Sequence, residues 1–210
     1  LQNSKKDGIM KIDEIKFACG ENSFQTAEVE TNDKTIDYEI SRNISYTQAL
    51  SVAKGLETVS EFYDVKCACT VKGNAVCAVA LGQSLADAVQ KSMDSDPIDF
   101  ISSVIVVSSE VDSEVAKYFK QTNVIAAPSF TKNALEILDS RDVPYITIKT
   151  PLKEYKKYLS NDVKITPLGT FIQSINNSEL DKDNFKVVSK QKPTVEQIED
   201  AVFAWKVAKH

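Results

Sequence analysis

Lys66–Gly82, KCACTVKGNAVCAVALG, is the most apolar run in the chain. It holds three of the four cysteines and, past its first residue, a single charge, Lys72, beside Gly73-Asn74. Two short strands, Cys67–Val71 and Ala75–Leu81, flank the Gly-Asn pair. That dipeptide favours a two-residue hairpin turn, whose central residues need positive φ. A second reading puts Lys72 at the end of a buried strand, pointing into a site.

Before this stretch, apolar residues at Ala49, Val52, Ala53, Leu56, Val59 and Phe62 predict a helix over Ser45–Tyr63. Earlier still, Lys11–Phe17 reads as a first strand, and Ala18–Gln25 as a loop. Ala27–Thr31 and Thr35–Ile40 read as short strands about a turn at Asn32-Asp33. After the stretch, Ser84 caps a helix that ends before Pro97. Ser103–Val107 is a β-branched run typical of a strand covered on both faces. A helix at Asp112–Lys120, a strand at Asn123–Ala127, a helix at Thr131–Asp139 and a strand at Pro144–Lys149 follow. The helix–strand alternation from Ala80 to Lys149 predicts a parallel sheet with crossover helices, with ligands at the carboxyl ends of its strands.

Pro151–Leu159 carries Lys153, Lys156 and Lys157. It reads as a solvated helix face, with a phosphate site as the competing reading. Strands are expected at Val163–Ile165, Leu168–Ile175 and Phe185–Ser189, and a polar loop at Asn176–Asn184. Thr194 and Gln197 form a capping box for a last helix, with Ile198, Ala201, Val202, Trp205 and Ala208 on one face. Trp205 reads as a core residue.

The 210 residues suffice for one well-buried core. Net charge is −5, which argues against a broad grip on nucleic acid. No apolar run reaches the ~18 residues of a membrane span. Leu1–Met10 is polar and reads as an unstructured lead, leaving 11–210 as one domain. Cys67 and Cys69 share one strand face and cannot easily pair, so the thiols are expected reduced, in the cytoplasm. There is no C-x-x-C, and the only histidine is His210, so neither a zinc site nor a Ser-His-Asp or Cys-His set is expected.

Five segments resemble, in the same order, the AICAR transformylase domain of the bifunctional enzyme AICAR transformylase/IMP cyclohydrolase. Gly20-Glu21-Asn22-Ser23-Phe24-Gln25 is similar to the family's Gly-Glu-Asn-Pro-His-Gln, and Ile44-Ser45-Tyr46 to its Leu-Ser-Tyr. Asp94–Ser103, with Asp96-Pro97, resembles its Thr-Asp-Pro-x-x-Ala-Phe-Gly-Gly. Val124–Ser129 is similar to its Ile-Ile-Ala-Pro-Ser. Lys190–Thr194 with Phe203–Lys209 resembles its Lys-Arg-Gln-Pro-Thr and Phe-Ala-Trp-Lys-Val-Ala-Lys. The resemblance runs from Ile15 to His210.

It implies an α/β, cytidine-deaminase-like three-layer fold with a mixed, largely parallel sheet, built as half of a tandem pair. It implies formyl transfer from 10-formyltetrahydrofolate to the amine of AICAR, with no metal, in a homodimer or with a complementing subunit. No nucleic-acid or membrane partner is implied. Carried onto this chain, Lys72 is the catalytic residue, and Gly20, Glu21, Asn22, Tyr46, Asn74, Ser102 and Ser103 bind the AICAR-like nucleotide.

The chain departs from the family at the chemistry. The family's Lys-His-Ala-Asn-Pro-Cys-Gly is Lys72-Gly73-Asn74-Ala75-Val76-Cys77-Ala78 here, so the lysine stays and the histidine is glycine. The family's Arg-Tyr is Ala18-Cys19, and its Phe-Gly-Gly is Ile101-Ser102-Ser103. The family continues past Lys-Val-Ala-Lys into a second half with a catalytic asparagine and much of the folate site, whereas this sequence stops at His210. Formyl transfer needs a group that removes the amine proton and a donor for the developing oxyanion. Glycine supplies neither. The expectations are therefore an impaired transformylase, or a non-catalytic homologue acting as a nucleotide-binding or assembly module.

Overall fold

The structure is a computed structural model and describes residues 14–32, 34–180 and 185–210. The expected lead over residues 1–10, the start of the first strand, Asp33 and the last four residues of the expected loop at 176–184 lie outside these residues.

The core is a six-stranded sheet. Its strands are β3 (Tyr38–Ile40), β4 (Lys66–Lys72), β5 (Ala75–Gly82), β6 (Val104–Val107), β7 (Val124–Ala127) and β8 (Tyr145–Ile148), in the order β3-β8-β7-β6-β4-β5. A short antiparallel pair, β1 (Glu14–Lys16) with β2 (Glu28–Glu30), lies apart from it. So β2 and β3 do not pair with each other across Asn32, as the sequence had suggested; β3 instead joins the sheet edge against β8.

The expectation of a largely parallel sheet needs correction. β5 and β6 both pair antiparallel with β4, so they run in the same direction, and β7 and β8 follow in parallel. The helix–strand alternation thus does produce four co-directional strands. But β4 is inserted between β5 and β6, and β3 caps the far edge antiparallel to β8. Parallel pairing survives only at β6–β7 and β7–β8.

Helices cover both faces, giving three layers. The front layer holds α1 (Tyr46–Ser60), a 3₁₀ helix (Leu152–Tyr158) and α6 (Val195–Ala208). The back layer holds α2 (Leu85–Ser95), α3 (Pro97–Phe100), α4 (Ser113–Ala116) and α5 (Lys132–Ser140). Strand alternation divides the core between them. Cys67, Cys69, Val71, Val104, Val106, Val124 and Ala126 face the α1 side. Ala68, Ile105, Val107, Ile125 and Ala127 face the α2 side. Every residue of β6 and β7 is buried, as two-sided cover requires.

The expected caps form. Ser45 and Gln48 make a capping box on α1, and Thr194 and Gln197 one on α6. Ser84 caps α2 and Thr131 caps α5. Four expectations fail locally. Asp112–Lys120 contains only one turn of α-helix, because Lys117, Tyr118 and Phe119 bond i→i−3 instead. Phe185–Ser189 is irregular and makes no strand. On α6 the docked residues are Val202, Phe203 and Val207, while Ala201 and Ala208 are exposed. Trp205 is half-buried rather than a core residue.

The strands β9 (Asp162–Thr166) and β10 (Gly169–Gln173) form a separate hairpin whose apolar side chains are largely exposed, Ile165 at 85% and Leu168 at 90%. Among the described residues, no helix is long and apolar enough to cross a membrane.

Candidate functional site at the β4–β5 hairpin

The opening stretch folds as the hairpin its sequence predicts. Lys72 pairs with Ala75, and the two residues between them have positive φ, +56° at Gly73 and +63° at Asn74. This is the primed turn whose twist matches the strands, and Gly73 meets that demand at no steric cost. The hairpin reading and the site reading are compatible, because Lys72 is the last residue of β4 and leaves the sheet at the tip.

The Lys72 ammonium is held by one partner. Its Nζ donates to Asp99 Oδ1 at 2.8 Å, with both side chains about two-fifths exposed. Asp99 lies in the first turn of α3, where its N–H donates to Asp96 Oδ1, the helix N-cap. The hydrogen bond to Asp99 raises the Lys72 pKa, and the same bond holds the Asp99 carboxyl below the usual carboxylate range. Lys72 therefore stays cationic and engaged over the whole neutral range.

Cys77 completes the group. The β4–β5 register slips between Thr70 and Val71: Thr70 faces Ala78 and Val71 faces Val76, which leaves Cys77 as the extra residue of a bulge. Cys77 Sγ and the Asp96 and Asp99 carboxylates lie within 4.8 Å of one another, a set that could hold a metal ion in competition with Lys72. Burial raises the Cys77 thiol pKa, and the neighbouring carboxylates push the same way. It is a weak nucleophile at neutral pH. The strand thiols are weaker still: burial raises Cys67, and Cys69 is pushed up to about 12. All four cysteines are free.

The remaining expected site residues fall at the same end of the sheet, in two clusters. Val71 pairs with Val104, so Ser102 and Ser103 lie beside the end of β4. Ser103 is buried and donates to the Phe100 carbonyl at 2.9 Å, which closes α3; Ser102 is exposed. Buried Asn123 also donates to the Phe100 carbonyl, at 2.7 Å, locking the α3–β6 junction to β7. Asn74 is tied to α1, its N–H donating to Ser51 Oγ at 3.1 Å.

The second cluster sits at the start of α1. Gly20 N–H donates to the Gln25 carbonyl, and the Asn22 N–H and Nδ2 both donate to Gln25 Oε1. This closed loop is fastened to α1 because the Tyr46 N–H donates to the Cys19 carbonyl. Glu21 and Asn22 are exposed. The Tyr46 ring packs edge-on against Phe17 and lines an apolar cavity of about 260 Å³. Among the described residues, no hydrogen bond or ion pair joins the Gly20 loop to Lys72; α1 is their common support.

The candidate site thus lies at the carboxyl end of β4, which is the amino end of β5 to β8. The sequence reading puts ligands at the carboxyl ends of the co-directional strands, whereas the expected site residues lie at the amino ends of those strands. Sequence reasoning also missed Asp99 and the apposition of Cys77. The Asp96-Pro97 start signal places Asp99 at the third position of α3 and was the available clue. The bulge that turns Cys77 toward it has no sequence signature.

Comparison with known proteins identifies the family. The family described as AICARFT/IMPCHase bienzyme matches residues 4–210. The chain is 33% identical over 204 residues to the bifunctional purine biosynthesis protein PurH of Fusobacterium nucleatum, covering 93% of this chain and 39% of that protein. It is 32% identical over 177 residues to the PurH protein of Acetivibrio thermocellus, covering 80% of this chain and 33% of that one. The chain therefore spans between a third and two-fifths of the length of these relatives. With nearly its whole length matched, the chain belongs to the AICARFT/IMPCHase bienzyme family.

Proposed function

We propose that this chain is a non-catalytic member of its family, a cytoplasmic nucleotide-binding or assembly module of purine biosynthesis that does not by itself formylate AICAR. The observation that carries this reading is the state of Lys72. Its ammonium is engaged by Asp99, and the next residue is a glycine that can neither take nor give a proton.

The reaction needs the AICAR amine to attack the formyl carbon of 10-formyltetrahydrofolate and lose a proton. Negative charge builds on the formyl oxygen, and the folate nitrogen must be protonated as it leaves. Lys72 keeps donors free beside its bond to Asp99 and could stabilise the oxyanion, but as an ammonium held protonated by Asp99 it cannot take the amine proton. The tip offers no imidazole for the amine proton: the Cys77 thiol is raised, and the Asp99 carboxylate is depressed and already paired with Lys72, which makes it a weak base. The only imidazole, His210, lies against Glu61 just past the far end of α1. Loss of one acid–base group costs about 10²–10⁴ in rate.

The Gly20 loop, Tyr46, Asn74 and Ser102 lie at one end of the sheet, which supports a reading of nucleotide binding without turnover. A turnover assay with 10-formyltetrahydrofolate and AICAR, paired with a calorimetric AICAR titration, tests this. Saturable binding with no formyl transfer is expected; transfer at a rate typical of the relatives would sink the reading. A second reading is favoured by one observation, the span of 33–39% of the relatives. A partner chain would then supply the family's asparagine and folate contacts, and turnover would appear only when that partner is added.

A further inference from the structure

The hairpin end of α1 is not the only place where chemistry gathers. At the other end of that helix, four lysines from two elements converge on one cleft of about 530 Å³. Lys153 and Lys156 come from the 3₁₀ helix, and Lys206 and Lys209 from α6. Two carboxylates, Glu61 and Glu179, share the cleft. Among the described residues that leaves a formal surplus of two positive charges, in a chain whose net charge is −5. A cavity that concentrates charge against the sign of the whole molecule is an electrostatic trap for the opposite sign.

The carboxylates leave lysine charge uncompensated. Glu61, with its side chain 7% exposed, accepts from Lys209 at 2.6 Å and lies 3.2 Å from Lys156. Glu179 is on the rim, 82% exposed and 3.7 Å from Lys156. Lys206 donates to the Glu61 carbonyl oxygen and sits over the Phe62 ring, and among the described residues it forms no ion pair. Lys153 is exposed and, among the described residues, forms no ion pair. Trp205 supplies a flat aromatic wall, with Lys209 Nζ 5.4 Å from its ring centre.

We propose that this cleft binds a small phosphorylated molecule carrying a planar ring, of the nucleoside-phosphate class. Lys153, Lys156 and Lys206 would grip the phosphate by charge-assisted hydrogen bonds, and the Trp205 ring would stack on the base. The volume lies within the range of small-ligand pockets. The site is separate from the hairpin. Glu61 follows α1, while Ser51, which holds Asn74, lies near its start. At 1.5 Å per residue that is about 15 Å along the helix.

Trp205 is the only tryptophan, so its fluorescence reports this cleft without interference. The test titrates the full chain with AMP and, separately, with inorganic pyrophosphate. Both are expected to bind saturably, with AMP quenching Trp205 and binding more tightly. Lys153→Ala removes a cation that holds no ion pair, so the fold should be kept. It should weaken both ligands about tenfold, the worth of one charged hydrogen bond. Lys72→Ala should leave both affinities unchanged, which separates this cleft from nucleotide binding at the hairpin. No saturable response at millimolar ligand, equal affinity in Lys153→Ala and the parent chain, or weakening by Lys72→Ala would each overturn the site. Pyrophosphate binding as tightly as AMP would overturn the assignment of a ring.

Discussion

Gly55 shows at the scale of one residue why α1 lies so close to the sheet. A Cβ there would fall 2.4 Å from Val106 Cγ2 and 3.2 Å from Val71 Cγ2. In an open helix, alanine would be better than glycine by about 1 kcal/mol. Here overpacking, worth about 1–3 kcal/mol, works against that gain. Gly55→Ala is expected to lower unfolding stability by about 1 kcal/mol, read from a urea melt; a stability gain would show that α1 can retreat. Gly73 is constrained for the opposite reason. A Cβ would meet nothing within 4 Å, but φ is +56°, so the limit is the backbone itself. Gly73 was legible in the sequence because its turn is local. Gly55 has no local signature of its role, because the atoms that require it lie at Val71 and Val106. Asp99 was missed for the same reason: its partner Lys72 is 27 residues away in sequence.

At the scale of elements, α6 is fastened to the end of α1 through Glu61. Burial pushes the Glu61 carboxyl upward, but hydrogen bonds and ion pairs from Lys209 and Lys156 together outweigh it and hold the group below its ordinary value. The folded value is therefore lower than that of the unfolded chain, about 4.3. The sign follows from linkage: the stabilisation is fully present above about pH 4.3 and is lost as pH falls through the folded value. Glu61→Gln leaves Lys209, only 4% exposed, without its carboxylate. It is expected to cost about 2–4 kcal/mol at neutral pH. The gap between parent and variant melting temperatures should close as the pH is taken below 4. A gap that persists in acid would place the loss in packing rather than charge. The α6 cap was readable from Thr194 and Gln197, but the face it buries was not. A periodic pattern also fits Ala201 and Ala208, and only the docking of Phe203 against Phe62, with ring centres 5.4 Å apart, selects the actual face.

At the scale of the whole molecule, stability is unevenly spread. The β4, β6 and β7 strands are buried on both faces, while the β9–β10 hairpin exposes its apolar side chains. A two-stranded hairpin alone is marginal in water. Hydrogen exchange on the isolated chain should show β6 and β7 amides protected to the level of global unfolding, and β9–β10 amides exchanging orders of magnitude faster. Equal protection in both would mean that the hairpin is covered in solution, as in a homodimer.

Most element types, the caps, the primed turn at Gly73-Asn74 and family membership were determined by the sequence alone, because each depends on residues that are neighbours along the chain or on motifs kept in order. The tertiary structure alone decided that β4 enters between β5 and β6, so that a helix–strand alternation yields mostly antiparallel pairs. It alone brought Asp99 and Cys77 to Lys72, and gathered the lysines of the 3₁₀ helix and α6 around Trp205. These are long-range outcomes. Strand insertion and charge convergence depend on which faces must be buried together, and local periodicity does not encode the partner.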